Sequence, residues 1–283
     1  MPAVGSPTAH RRELGSMLRS LRADTGLTVE QVAKRLGFSP SKMSRLENGR
    51  RGASKFDIQR LCALYEVNEK QREQLTELAA EGKQRAWWSS SLPYYDYVGL
   101  EAAAASISDY GLALVPGLLQ THDYASAVVR AAVPTSAPTI AEERVQARMA
   151  RQRLLSTPES PSFDAVLDES VLHRVVGSPA VMLAQLRRLL EMSELPKVNI
   201  RIVPYGAGVV PAGVNKFVIL RFAVSGLADI VLLEELTSHR YLDDPKEVET
   251  YRATFNILAQ VSADTATSHE IIRAKASTYE SLA

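Results

Sequence analysis

One short segment of the chain combines small hydroxyl and cationic side chains at helical spacing. Met43 and Leu46 lie three residues apart, as buried positions on one face of a helix do. The outward positions of the same segment carry Ser41, Lys42, Ser44 and Arg45, and Arg50 and Arg51 follow at once. Such groups suit hydrogen bonds to base edges in a major groove and contacts with phosphates. We therefore predict a recognition helix over residues 40–48, with the arginine pair clamping the DNA backbone.

The charge of the chain is unevenly divided along its length. The formal net charge is +1 over 283 residues, from 33 basic and 32 acidic side chains, which taken alone argues against a nucleic-acid binder. Residues 11–60, however, hold twelve Lys/Arg and five Asp/Glu, a local excess of +7. Residues 1–86 carry +6 and residues 87–283 carry −5. An asymmetry of this kind indicates a nucleic-acid-binding end.

The composition excludes several classes of protein. Hydrophobic residues make up 46% and charged residues 23%, which is typical of globular domains and excludes a polybasic or strongly disordered chain. The single cysteine, Cys62, excludes an intrachain disulfide framework and a cysteine-rich zinc site, and it fits a reducing cytoplasm. We expect no signal peptide and no membrane span.

Helix signals surround the predicted recognition helix and would position it. Thr28 with Gln31 forms a capping-box pattern, Gly37 is a typical helix stop, and Ser39-Pro40 starts the next helix. Apolar stripes predict one helix before these signals and two after them, the last over Glu69–Glu81. We predict an all-α, five-helix domain over residues 10–82, preceded by a disordered tail, residues 1–9.

The run from Leu27 to Gly49 resembles the helix-turn-helix of the XRE (Cro/C1-type repressor) family, a lambda-repressor-like fold. The likeness lies in the spacing, the turn glycine and the terminal Leu-Glu-Asn-Gly. The resemblance implies base contacts from Ser41, Lys42 and Arg45, phosphate contacts from Thr28, Ser39, Ser44 and Arg50, and a bracing ion pair between Arg22 and Glu47. Pro40 stands where many relatives carry a DNA-contacting glutamine, so base reading would shift to Ser41 and Lys42.

Residues 83–98 combine a serine- and proline-rich boundary with an aromatic cluster, which we interpret as a linker. The cluster contains Trp87, Trp88, Tyr94 and Tyr97. Its two interpretations are a packing seam between domains and one wall of a ligand pocket. For the pocket, Gln120 and Arg148 are further candidates, and Arg148 with Arg151 and Gln152 could hold an anion.

The remaining residues, 99–283, alternate helix and strand patterns. The spacing of Leu100, Ala103, Ile107 and Gly111 predicts a helix, and later segments predict strands at Phe163–Leu167, Asn199–Val203, Lys216–Phe222, Asp229–Glu234 and His239–Leu242. Because most of these strands follow one another across short turns, we predict an α+β domain with a small, mainly antiparallel sheet.

This second region also carries a resemblance. Val115-Pro-Gly-Leu-Leu-Gln-Thr121, Arg148-Met-Ala-Arg-Gln152 and Gln185-Leu186 are similar to the C-terminal domain of a group of actinobacterial XRE regulators. That domain is known only as one of unknown function. Group members are associated with control of development and antibiotic production, often beside a gene for a small partner protein.

The sequence offers no catalytic or metal-binding pattern. Its five histidines are scattered without metal-ligand spacing, and no serine lies in a nucleophile elbow. The glycine-rich loop at 205–213 lacks the lysine and the following helix of a phosphate loop. We expect a protein that is not an enzyme, has no cofactor and binds no metal.

Together these patterns predict a cytoplasmic, sequence-specific regulator of transcription that is nucleoid-associated when bound to double-stranded DNA. A recognition helix reads few base pairs, so we expect a homodimer on two half-sites about 34 Å apart. The C-terminal domain would serve dimerisation and signal input. Two alternatives for the input remain open, a small protein partner as in antitoxin-like modules and a small-molecule effector.

Overall fold

The computed structural model describes residues 6–84, 95–132, 137–211, 215–223, 227–235 and 239–282. The chain divides into two compact units. One comprises residues 1–103 with the segment 222–227, and the other comprises residues 104–221 and 228–283. The predicted linker residues Trp87, Trp88 and Tyr94 lie outside the described residues.

The N-terminal unit is helical. Its helices are α1 (Pro7–Asp24), α2 (Val29–Leu36), α3 (Pro40–Glu47), α4 (Lys55–Leu64), α5 (Glu69–Glu81) and α6 (Tyr95–Ala103). Their apolar stripes meet in one core, in which Leu18, Val32, Met43, Leu61 and Leu75 are fully buried. The five helices predicted for this region are therefore present, with the start and stop signals at the residues expected.

Both ends of the N-terminal unit differ from the predicted boundaries. Helix α1 begins at Pro7 with Ser6 as its N-cap, so residues 7–9 of the predicted disordered tail are helical. The Ser6 hydroxyl also donates a hydrogen bond to the Gly99 carbonyl in α6. Helix α6 packs with α1, so residues 95–103, which we divided between linker and C-terminal domain, belong to the N-terminal unit.

The C-terminal unit is a sheet with helices. Its strands are β1 (Ser106–Gly111), β2 (Ser162–Asp168), β3 (Val198–Val203), β4 (Phe217–Arg221), β5 (Ile230–Glu234) and β6 (His239–Leu242). Its helices are α7 (His122–Ala132), α8 (Pro138–Arg151), α9 (Ser170–His173), α10 (Pro179–Ser193), α11 (Pro245–Val261) and α12 (Thr265–Glu280).

The sheet is mixed, and the prediction of a mainly antiparallel sheet was wrong. The strand order is β3-β2-β1-β4-β5-β6. Strand β1 pairs parallel with β2, and β2 pairs parallel with β3, whereas the other three pairings are antiparallel. We had assigned β1 to a helix, and we had not treated β2 and β3, with the helices predicted between them, as a parallel pair. A parallel pair requires a long crossover, and the α7–α8 segment supplies one between β1 and β2.

Both faces of the sheet are covered. Strand β2 buries Phe163 and Leu167 on one face and Val166 on the other. Val166 joins a core with Tyr110, Phe217 and residues of α11. The outer edge of β3 is covered too, because Ile202 donates to the Ser268 hydroxyl and accepts from the Ala263 amide, at 3.0 and 2.8 Å.

Candidate nucleic-acid interface

The turn between α2 and α3 is fixed by local hydrogen bonds. Thr28 and Gln31 form a reciprocal capping box at the start of α2. Gly37 ends α2 in the left-handed region, with φ of 59°, and the Phe38 amide donates to the Ala33 carbonyl at 2.8 Å. Ser39 then caps α3 by accepting from the Lys42 amide at 3.1 Å. These bonds set the angle at which α3 leaves the turn.

Helix α3 presents a polar face because its apolar face is fully used in the core. Met43 and Leu46 are 0% and 1% exposed. Ser41 and Arg45 are consequently exposed, and the Arg45 guanidinium makes no hydrogen bond or ion pair within the described part of the chain. An exposed arginine on a rigid helix can donate two parallel hydrogen bonds to a guanine edge.

Lys42 occupies a different position from the other predicted base contacts. Its ammonium lies 2.6 Å from the Asp57 carboxylate in α4 and 3.6 Å from the centre of the Phe38 ring. Burial disfavours ionisation of Asp57, but hydrogen bonds from Lys42 and the Ser54 backbone outweigh it and lower the pKa of that carboxyl. Lys42 therefore links α3 to α4 in the free protein, and its base contact stays a prediction.

An ion pair braces α1 against the end of α3, and it joins the two residues named for this role. Arg22 donates from Nε and one terminal nitrogen to the two Glu47 carboxylate oxygens, at 2.6 and 3.0 Å. The Glu47 side chain is only 4% exposed. The hydrogen bonds to Glu47, opposed by burial, raise the pKa of Arg22. Gly15 lets the helices approach, since a Cβ there would lie 2.6 Å from the Glu47 carbonyl oxygen.

The residues predicted to contact phosphates lie on the surface. Thr28, Ser39, Arg50 and Arg51 are exposed, and Ser44 is half-buried. Each of the two cap hydroxyls accepts a bond from a helix amide. Their own O–H groups therefore remain available as donors to a phosphate oxygen.

Two polar residues at this surface were missed in the sequence. The Arg19 guanidinium donates to the Asn48 side-chain oxygen at 2.6 Å and to the Glu47 carbonyl at 3.3 Å. Asn48 in turn donates to the Ser44 hydroxyl at 3.3 Å. Asn48 follows α3 directly in the Leu-Glu-Asn-Gly run, so its position was the one available signal. These bonds orient polar groups at the carboxyl end of the recognition helix.

Three of the residues suggested for an effector pocket are buried or hydrogen-bonded within the protein. Tyr97 is 7% exposed within the N-terminal unit. Gln120, 3% exposed, donates to the Val115 carbonyl at 2.7 Å and accepts from Arg148 at 2.9 Å. Gln152 holds the same segment by donating to the Gly117 and Gln120 carbonyls, at 3.1 and 2.6 Å. The glutamine–arginine pair therefore fixes the backbone of residues 115–120.

The described residues contain no group of three or more His, Cys, Asp or Glu side chains placed to hold a metal ion. None of the helices they form is long and apolar enough to cross a membrane.

Comparison with known protein families assigns both parts of the chain. Residues 13–75 match the family described as a helix-turn-helix domain. Residues 94–274 match the family described as a domain of unknown function, DUF5753. No curated protein and no solved structure matches the chain.

Proposed function

Because the chain belongs to the DUF5753 family and carries a helix-turn-helix domain, we propose that it is a sequence-specific transcription regulator of the XRE type. In this proposal α3 enters the major groove. The observation that carries it is the exposed Ser41 and Arg45 on a helix whose opposite face is locked in the core. The local charge of +7 over residues 11–60 supplies the attraction to phosphates.

The interface divides into base-reading and positioning groups. Arg45 and Ser41 supply direct readout. Thr28, Ser39, Ser44, Arg50 and Arg51 supply backbone contacts, which fix the register on the duplex but carry no sequence information. Lys42 acts first through Asp57, by holding the start of α4 against the recognition helix. Its contribution to base reading requires release of that ion pair.

The proposed active form is a homodimer. One α3 reads only a few base pairs, so two copies on half-sites about 34 Å apart would give the necessary specificity. We place dimerisation and signal input in the C-terminal unit. Residues 87–283 have a net charge of −5, so this part of the chain is not attracted to DNA phosphates. We assign no catalytic role to the chain.

Selection from random DNA tests the proposal directly. The full chain should enrich a short sequence, in two copies if it binds as a dimer, at physiological salt. Arg45→Ala should weaken binding to that sequence by about 1–3 kcal/mol, roughly 5- to 150-fold, and relax the preference at one base pair. Arg72→Ala is the matched control, because Arg72 is exposed on α5 and pairs only loosely with Glu69, at 3.4 Å.

Two results would contradict the proposal. One is recovery of no preferred sequence. The other is an Arg45→Ala protein that binds as tightly and selectively as Arg72→Ala. Lys42→Ala is a poor probe on its own, because it would leave the buried Asp57 carboxylate without its ammonium partner.

The signal that reaches the C-terminal unit has two candidate sources. A small protein partner would co-purify in fixed stoichiometry from the native host, whereas a small molecule would be retained as a metabolite.

A further inference from the structure

The carboxyl ends of the three parallel strands meet at one edge of the sheet. Strand β1 ends at Gly111, β2 at Asp168 and β3 at Val203. The chain then passes to the far side of β1, where β4 begins with Phe217 opposite Tyr110. Strand β4 runs antiparallel to β1, so the parallel part of the sheet ends at β1. The carboxyl ends of parallel strands in α/β sheets are where ligands bind, and β1, β2 and β3 bring three of them to this edge.

Tyr110 places a buried hydroxyl beside this edge. Its side chain is 0% exposed, its ring packs on Phe217 at 5.8 Å, and its hydroxyl has no hydrogen-bond partner among the described residues. Other buried tyrosines of this unit differ. The Tyr124 hydroxyl accepts from the Val115 amide at 3.2 Å, and the Tyr279 hydroxyl donates to the Leu172 carbonyl at 3.1 Å. A buried hydroxyl without a partner is uncommon and calls for an explanation.

A carboxylate lies on the same face of the sheet as that hydroxyl, because Tyr110 pairs with Val166 and Asp168 follows two residues later on β2. Burial, together with the negative charge of Asp168, raises the pKa of Tyr110 to about 12. The phenol is therefore protonated at neutral pH and acts as a donor. Asp168 is half-buried at the end of β2, and one of its oxygens accepts from the Ser170 amide at 2.9 Å. Its second oxygen accepts no hydrogen bond from the described residues.

Apolar side chains surround these two polar groups. Leu112, Ala207, Val210 and Tyr251 are partly exposed and pack against the core that contains Tyr110 and Phe217. Ala207 and Val210 come from the segment that follows β3, and the same segment is tied down where the Tyr205 amide donates to Glu169 at 2.7 Å. A mostly apolar lining with a few fixed polar groups is the usual composition of a small-molecule site.

We propose that this edge, lined by Tyr110, Asp168 and the apolar side chains around them, binds a small organic molecule with an apolar body and a polar head. The head carries an acceptor for the Tyr110 hydroxyl and a donor, an amine or hydroxyl group, for Asp168. Anionic ligands are disfavoured because the Asp168 carboxylate would lie beside them. The role of this ligand as a signal rests on the proposed regulatory function, but its binding does not.

The first test measures whether the Tyr110 hydroxyl makes a hydrogen bond in the ligand-free protein. Tyr110→Phe should leave the thermal stability of the ligand-free full chain unchanged or raised, because no internal hydrogen bond is lost. Tyr279→Phe, the matched control, should lower it, because the Leu172 and His173 carbonyls lose their donor. A clear loss of stability in Tyr110→Phe would mean that the hydroxyl is already satisfied, and would overturn the proposal.

The second test measures binding with three probes of similar size: benzylamine, benzyl alcohol and benzoate. NMR titration of the full chain without DNA should show saturable binding of the first two, with shifts at residues 110 and 168. Tyr110→Phe should weaken that binding about 3- to 10-fold, the loss of one neutral hydrogen bond.

Three outcomes would refute the site: no saturable binding of either probe, equal affinity in Tyr110→Phe, or benzoate binding as tightly as benzylamine. Because DNA is absent from the titration, these outcomes leave the DNA-binding proposal standing. Failure of the DNA selection would likewise leave the binding site standing.

Discussion

Removal of Arg22 should destabilise the N-terminal helices far more than its position near the surface suggests. The Arg22 side chain is 18% exposed, but its partner Glu47 is only 4% exposed. Arg22→Met would therefore leave a buried carboxylate without its cationic partner. Breaking a buried pair from one side costs about 3–5 kcal/mol. The same change also removes the bond from Arg22 to the Leu27 carbonyl, at 2.9 Å. At about 4–8 °C per kcal/mol, the melting temperature of these helices should fall by more than about 10 °C.

The assay is native-state hydrogen exchange of amides in α1 and α3, which reports their local free energy of opening separately from the C-terminal unit. Arg72→Met is the matched control. Its pair with Glu69 is exposed on both sides, 51% and 71%, so the loss should be below about 1 kcal/mol. The double variant Arg22→Met/Glu47→Leu should recover much of the loss, because it removes the buried charge. Equal losses in Arg22→Met and Arg72→Met, or a double variant less stable than Arg22→Met, would refute this reasoning.

Three other perturbations have defined outcomes. Gly15→Ala should destabilise the same helices by about 1–3 kcal/mol, because its Cβ meets backbone carbonyl oxygens at 2.6 and 2.7 Å; thermal unfolding measures it, and a neutral result would mean that α1 can shift. The pKa of Asp57 is lower in the folded than in the unfolded chain, so the unfolded chain takes up this proton first as the pH falls. The stabilisation by the Asp57 carboxylate is therefore complete above about pH 3.8 and is lost at lower pH. Asp57→Asn should make stability depend less steeply on pH in the acid range, and an unchanged dependence would contradict the assignment. Gln185→Leu should cost about 2–4 kcal/mol in urea unfolding of the C-terminal unit, because the Thr121 amide and Leu119 carbonyl both lose buried partners, whereas exposed Gln146→Leu should cost little.

The N-terminal helices could be predicted from sequence because their signals are local. A cap residue and the amide it binds lie three positions apart, as Thr28 and Gln31 or Ser54 and Asp57 do. The left-handed Gly37 likewise requires only its own lack of a side chain. The predicted Arg22–Glu47 pair came from resemblance, since nothing local joins residues 25 positions apart.

The failure at β1 arose because two periodicities coincide there. Ile107 and Gly111 lie four residues apart and continue the alanine-rich pattern of α6, yet Ile107, Asp109 and Gly111 also alternate as a strand does. Pairing with β2 decides between them, and that pairing depends on residues more than fifty positions later. Without β1 the parallel β1–β2 pair could not be predicted. For the parallel β2–β3 pair the order strand, helices, strand was present in the prediction, and it was the available signal.

The ion pair between Lys42 and Asp57 could not be predicted from the sequence for a related reason. Helical spacing correctly placed Lys42 off the apolar face of α3, but it gave no information about which group faces it from another helix. Asp57 was identifiable only as part of a capping box. In the fold the same carboxylate serves both the cap and the ammonium.

The division of the chain into units constrains how such a protein can be recombined. The backbone passes between the two units at 103/104, at 221/222 and again at 227/228. The family match begins at residue 94, inside the helical unit, so a fusion made at that boundary would separate α6 from α1. A fusion at 103/104 would keep α6 but would leave the segment 222–227 with the wrong half. Exchange of the N-terminal unit between related proteins therefore requires three fusion points. A chimaera made with a single fusion point should fold poorly.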